Sequence, residues 1–260
     1  MLKPALSTIR SALFFSDLHL GWSVCQRQHH RLLERLPEAV EDAELIVMNG
    51  DIVDRHRRPG HGSALETVQR LHALVSGWRQ EGRQVVYVEG NHDPMEGAGG
   101  ALQPDRWYHD FESAEGKRVR VMHGHRFAHR SFVPGVYEGY GRHLLAIENR
   151  LNTLPLMRRL YPLGPGWFVG GVGLLEDRLW RPRFPAQSAP MLEAVDVLVH
   201  GHFHFGPGQG RIGAIPTFKS GSWVSTGHLG SVDRMLRYRM GRFERLELRG
   251  QRWSASRDGR

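Results

Sequence analysis

Five short segments rich in β-forming residues, SALFFSD, AELIVMNGD, QVVYVEGN, KRVRVMHG and VDVLVHGH, each run straight into a turn built from Gly, Asn, Asp or His. Between the early ones, residues 26–43 and 63–81 place apolar side chains at three- and four-residue spacing, the period of an amphipathic helix. Strands that alternate with helices and end in polar turns predict an α/β architecture. The stretch from 212 to 248 reads as further short strands divided by Gly and Ser, and the residues from about 250 onward read as a frayed tail.

At 260 residues the chain suits one large domain, 1–260. Its pattern breaks at 124–196, which reads as a basic, partly apolar helical insertion: Arg126 to Arg183 holds nine arginines against Glu138, Glu148, Glu176 and Asp177. Apolar residues make up 40% and charged residues 24%, a balance that excludes a mainly disordered chain. The formal charge of +8 favours phosphate-bearing partners. No apolar run approaches the ~18 residues of a membrane span, and the opening MLKPALSTIRSALFF is expected to lead into a strand rather than to be a leader. With Cys25 as its single cysteine the chain forms no internal disulfide, so the cytoplasm is the expected compartment, with peripheral membrane contact open through the insertion.

In open α/β sheets, ligands collect at the carboxyl ends of strands, where loops converge on a rigid support. Asp17, Asp51, Asn91, His123 and His202 all follow predicted strands at that end. Asp17 and His19 are two residues apart, as are His202 and His204, so in an extended chain each pair points to one side and can hold one ion. Carboxylate, amide and imidazole together suit Mn, Fe or Zn better than a thiolate-selecting site or a Ca or Mg cage. Gly50, Gly90 and Gly201 precede motif residues and permit tight turns and close backbone approach. The blander readings are turn residues for any one motif taken alone, a structural Asp54, supporting roles for His125 and His200, solvated His29, His30, His56 and His61, and a packed Cys25.

Through FSDLHLG, NGDIVD, VEGNHD, MHGH and VHGHFH the chain resembles the calcineurin-like metallophosphoesterases. The resemblance implies two β-sheets packed face to face between helices. It also implies two divalent ions, Mn first with Fe or Zn open, one held by Asp17, His19, Asp51 and His204, the other by Asp51, Asn91, His123 and His202. Two such ions set against two carboxylates leave about +2, which suits an anionic phosphate. His92 is the implied donor to the leaving group, with Asp93 as the acidic partner that orients it.

Within that family the chain is similar to the bacterial UDP-2,3-diacylglucosamine diphosphatases of lipid A synthesis, which release lipid X and UMP and carry a helical lid between the HG and GHxH motifs. Here the lid would be the 124–196 insertion, its Leu144, Leu145, Ile147, Leu151, Leu154 and Trp167 beside arginines; Arg126, Arg130 and Trp167 are candidate substrate contacts. That branch has Arg where this chain has His92, and Asp where it has His125. The resemblance therefore implies either this lipid-linked substrate or a phosphodiester, phosphomonoester or nucleotide diphosphate. Two further readings are a nuclease, for which no recognition module is present, and a non-catalytic scaffold, whose expected sign would be missing ligands.

Overall fold

The computed structural model describes residues 6–22, 25–54, 63–93, 102–128, 154, 156, 189–202, 204, 208–224 and 234–256. Strands β1 (Thr8–Ile9) and β2 (Ser11–Phe15) lead into α1 (Gln26–Val40), β3 (Leu45–Asn49), α2 (Ser63–Gln80) and β4 (Gln84–Val88). Then come β5 (Tyr108–Ser113), β6 (Arg118–Met122), α3 (His125–Ala128), β7 (Val197–His200), β8 (Gln209–Ile212), β9 (Ile215–Lys219), β10 (Gly221–Ser222), β11 (Arg234–Arg239), β12 (Arg242–Arg249) and β13 (Arg252–Ser256).

These strands form two sheets. One has the order β1-β5-β6-β7-β9-β8; the other has β13-β12-β11-β2-β3-β4, with β10 paired to β11. β2, β3 and β4 are parallel, as their helical connections require.

Alternation along these strands divides their side chains between two cores. Ala12, Phe14, Leu45, Val47, Val86 and Val88 cluster with Phe111, Val119, Val121, Val197 and Val199 of the facing sheet. Their neighbours Leu13, Phe15, Ile46, Met48, Val85 and Tyr87 cluster with Leu32, Leu33, Leu36 and Val40 of α1 and Leu71 and Val75 of α2. A sheet covered on both faces must be apolar at every position, which is why these segments read as continuous apolar runs. The result is an α/β fold of two packed sheets flanked by helices. All five predicted strands that end in polar turns are present, and both helices stop within a few residues of the predicted ends.

The structure differs from the sequence reading at three places. β5 was not foreseen, because YHDFES alternates polar and apolar residues without an apolar run; it forms by pairing antiparallel with β6. The expected tail from about 250 contains β13, which pairs with β12. Trp253 explains that order: its ring meets Trp223 at 6.0 Å, and its Nε1–H donates to the Arg35 carbonyl at 2.7 Å. Third, His29 is buried rather than solvated, and its Nε2 lies 2.6 Å from the Leu18 carbonyl. Most of the 124–196 insertion, with Arg130 and Trp167, lies outside the described residues; of its six named apolar residues only Leu154 is described, and it is exposed.

The His29 contact ties α1 to the loop after β2. Burial lowers the His29 pKa from 6.5 to about 3, so the folded ring stays neutral and donates Nε2–H to Leu18. Below pH 6.5 the unfolded chain takes up a proton that the folded chain refuses. This contribution to stability is therefore complete above pH 6.5 and falls by up to ~1.4 kcal/mol per unit as the pH drops toward 3. In urea unfolding between pH 7 and 4, the wild type should lose stability more steeply than His29→Gln, whose side chain can donate to Leu18 without titrating. Equal slopes would exclude the assignment.

Candidate metal centre

Beyond the ends of β2 and β3 the two segments stay hydrogen-bonded. Asp17 N donates to Gly50 O at 3.0 Å, His19 N to Asp51 O at 2.9 Å and Leu20 N to Ile52 O at 2.8 Å, while Asp54 N returns to Leu20 O at 2.9 Å. Asp17, His19, Asp51 and His202 nevertheless adopt left-handed φ of 54°, 48°, 53° and 69°. The expectation that the DxH pair sits in extended backbone is thus wrong. Each such residue costs on the order of 1 kcal/mol, and the surrounding pairing holds it there. Gly50 has φ +84°, and a Cβ on it would lie 2.5 Å from the His123 ring. Gly201 needs space only: a Cβ there would sit 2.8 Å from Ser16 Oγ and 3.0 Å from Asp17 Oδ2.

All seven predicted ligand residues are described, and six of them fall into two triads. The ligand atoms of Asp17, His19 and His204 lie within 4.8 Å of one another, as do those of Asp51, His123 and His202. Each triad could hold a metal ion. The two are joined through His123, whose Nε2 is 3.3 Å from Asp17 Oδ1 and 3.6 Å from Asp51 Oδ2, and through His19, whose Nε2 is 3.7 Å from Asp51 Oδ2. Asn91 Oδ1 is buried with no hydrogen-bond partner among the described residues, as is His19 Nε2.

The donor chemistry fits divalent cations. His19 Nδ1 lies 3.4 Å from Asp54 Oδ2. Burial outweighs that carboxylate and lowers the His19 pKa, so the ring is neutral. A neutral ring that donates Nδ1–H to Asp54 presents its lone pair on Nε2, the atom left without a partner. Burial works against ionisation of Asp17 and Asp51, yet the surrounding histidines outweigh it and hold both carboxyls below the usual range. In return, burial of His123 is outweighed by Asp51 and Asp17, which raise its pKa to about 9.

Asp54 also reaches the other predicted functional histidine: its Oδ1 is 3.4 Å from His92 Nδ1. The expected Asp93–His92 pairing is corrected by this geometry. Asp93 Oδ2 accepts from the amides of Gly90 at 2.7 Å and Asp51 at 2.8 Å, and Oδ1 from those of Ile52 at 2.8 Å and Val53 at 3.1 Å and from the Tyr87 hydroxyl. Asp93 therefore clamps the Asp51 and Asn91 loops together, and Asp54 is the carboxylate beside His92. The GDxxD spacing contains the signal for Asp54, but spacing cannot say which carboxylate faces an imidazole and which faces amides. His125 Nδ1 lies 3.2 Å from His123 Nδ1. At the rim, Arg126 pairs with Glu89 at 2.6 Å and lies over the Trp107 ring, 5.2 Å from its centroid. Sequence reading singles out neither residue: Trp107 stands in no motif, and Glu89, inside VEGNHD, gives no sign there of an arginine partner 37 residues on.

The model of the calcineurin-like phosphoesterase family matches residues 11–206, about three quarters of the chain. The chain belongs to that family. It is accordingly a hydrolase of phosphoester bonds that works with divalent metal ions. No curated protein matches its sequence. Among solved structures it is similar to YfcE, a phosphoesterase from E. coli, at 18% identity over 95% of this chain and 98% of that one, with a TM-score of 0.49. It is also similar to a cold-active protein tyrosine phosphatase at 17% identity over 98% and 83%, TM-score 0.48. A third is a dimetal phosphatase from Danio rerio, at 12% over 91% and 95%, TM-score 0.41.

A cation taken up by the Asp51, His123 and His202 triad would displace the proton on His123, because only the neutral ring can ligate. That proton is present below about pH 9 and gone above it. Adding Mn(II) to metal-free protein at pH 7 in weak buffer should therefore release protons, and apparent affinity should rise with pH toward 9. His123→Ala should diminish the release, and Asp51→Ala should weaken Mn(II) uptake. Affinity that does not change between pH 6.5 and 9 would count against the assignment.

Proposed function

We propose that the chain is a dinuclear enzyme in which Asp17, His19, Asp51 and His204 hold one ion, and Asp51, Asn91, His123 and His202 the other. The observation that carries this reading is the pair of adjacent triads linked through His123 and Asp51. Manganese is the metal proposed first, as the family resemblance implies, with iron or zinc open, since mixed oxygen and nitrogen donors suit all three. When bound, two such ions would polarise the phosphoryl oxygens and make water a stronger nucleophile.

The remaining chemistry belongs to side chains. His92 is the proposed general acid, giving a proton to the leaving oxygen as its bond to phosphorus breaks. Asp54, 3.4 Å from Nδ1 of both His19 and His92, is the proposed positioning carboxylate that turns Nε2 of His92 toward the substrate. Asp93 is a positioning residue, acting through the amides of the Asp51 loop. The four residues are buried, so the charge they manage is poorly screened by water.

For the substrate we favour a lipid-linked diphosphate, UDP-2,3-diacylglucosamine, cleaved to lipid X and UMP. Supporting it are the basic and leucine-rich 124–196 insertion, proposed as a lid, and the placement of Arg126 beside the loops that carry Asn91 and His123, where a guanidinium suits a diphosphate. Arg130 and Trp167 remain proposed contacts on sequence alone. The acyl chains would bring the protein against a membrane surface; among the described residues, no helix is long and apolar enough to cross one.

With Mn(II) present, activity on UDP-diacylglucosamine should exceed that on deacylated UDP-sugar, nucleoside diphosphates, an aryl phosphodiester and single-stranded DNA. Equal rates on acylated and deacylated sugars below saturation would remove the lipid substrate and leave the phosphoesterase. His92→Ala should retain both ions and lose roughly 10²–10⁴-fold in turnover, less for a leaving group that needs no proton. Asp54→Asn should fall in the same direction. Losses that ignore leaving-group quality would assign His92 to phosphate binding instead.

A further inference from the structure

Beneath the proposed ligands lies a set of fully buried polar groups that the reaction does not use: Asn49, Ser220 and Ser16. Asn49 Nδ2 donates to the Met122 carbonyl at 3.2 Å and to Ser220 Oγ at 3.1 Å. The Met122 carbonyl can only accept, which fixes the Asn49 amide with its NH₂ toward Ser220. Ser220 Oγ lies 2.8 Å from Ser16 Oγ, and Ser16 Oγ lies 2.5 Å from Asp17 Oδ2.

Each serine hydroxyl has one proton and a choice. Ser220 could instead donate to the His200 carbonyl at 3.1 Å, and Ser16 to the Gly221 carbonyl at 3.0 Å. If Ser16 turned to Gly221, its lone pairs would face a buried carboxylate oxygen at 2.5 Å, which is repulsive. A hydroxyl donating to a carboxylate is about twice as strong as one donating to a neutral carbonyl. While Asp17 is ionised, Ser16 therefore donates to it and keeps its lone pairs for Ser220, which lies nearer Ser16 than the His200 carbonyl, itself already bonded to Ser220 N at 2.8 Å; the protons run from Asn49 to Ser220 to Ser16 to Asp17. The His202 amide adds a second donor to the same oxygen, Oδ2, at 3.2 Å. Oδ1 is left facing His204 Nε2 at 3.1 Å and His123 Nε2 at 3.3 Å.

We propose that Asn49, Ser220 and Ser16 form a buried donor relay that occupies Oδ2 of Asp17 and leaves Oδ1 as the oxygen open to a cation. The three are positioning residues for the site of Asp17, His19 and His204. The relay also joins the ends of β2, β3, β6 and β9, so one set of hydrogen bonds aligns loops from both sheets. This inference rests on the dinuclear reading above, and its test separates the two. Wild-type, Ser16→Ala and Ser220→Ala proteins are stripped of metal and titrated with Mn(II), free Mn(II) being read by electron paramagnetic resonance.

Wild-type protein taking up fewer than two ions would overturn the dinuclear reading itself. Given two, Ser16→Ala should weaken one ion by roughly 10–100-fold, the usual effect of removing a ligand's hydrogen-bond partner, and leave the other within a few-fold. Ser220→Ala should weaken the same ion by less, and should add nothing in the Ser16→Ala background, because its effect passes through Ser16. Unchanged affinities, equal losses at both ions, or additive losses in the double variant would overturn the relay. If Ser16→Ala does not fold, Ser220→Ala decides: loss at one ion supports the relay, and no loss overturns it.

Discussion

Asp17 and Asp51 are buried within reach of a single His123 nitrogen, and much of the local structure answers the repulsion between them. Two carboxylates taken out of water must be neutralised by close positive charge or by donors, or they would protonate. The fold supplies both. Imidazoles converge from the ends of β2, β6 and β7, and Asp17 and Asp51 each accept from backbone amides, His202 N on Asp17 Oδ2 and His92 N on Asp51 Oδ1 at 2.8 Å. A place built this way for negative charge is equally a place for cations.

The cost of assembling the centre appears in the backbone. Four of the seven proposed ligands hold left-handed φ without being glycine. Such residues would relax if their loops were free, and the loops are not. The ladder continued between the chains after β2 and β3, the five donors on Asp93 and the Asn49 link between the sheets fix these turns from several sides. The packed faces of the two sheets, closed by Phe14, Phe111 and the valines around them, supply the rigid base.

Two carboxylates that sequence places side by side have separate tasks in space. Asp54 lies between two imidazoles, where a carboxylate sets tautomers and holds protons. Asp93 faces four amides and a phenol, where it sets backbone conformation. The first environment bears on proton transfer and the second on the shape of the site.

The sequence by itself determined the strand–helix alternation, the five strand ends and the identity of the ligand candidates, because each is a local pattern: apolar runs, helical spacing, and polar residues set just past them. Tertiary structure decided what depends on partners far along the chain. β5 became a strand through β6, β13 was ordered by Trp253 on α1, and His29 is buried where α1 packs on the loop after β2, its ring donating to the Leu18 carbonyl. The same holds in the site, where Asp54 rather than Asp93 meets His92, and where Ser16 and Ser220, 204 residues apart, come within hydrogen-bond distance. A hydrogen bond needs a distance and an angle, and a linear pattern of residue types contains neither.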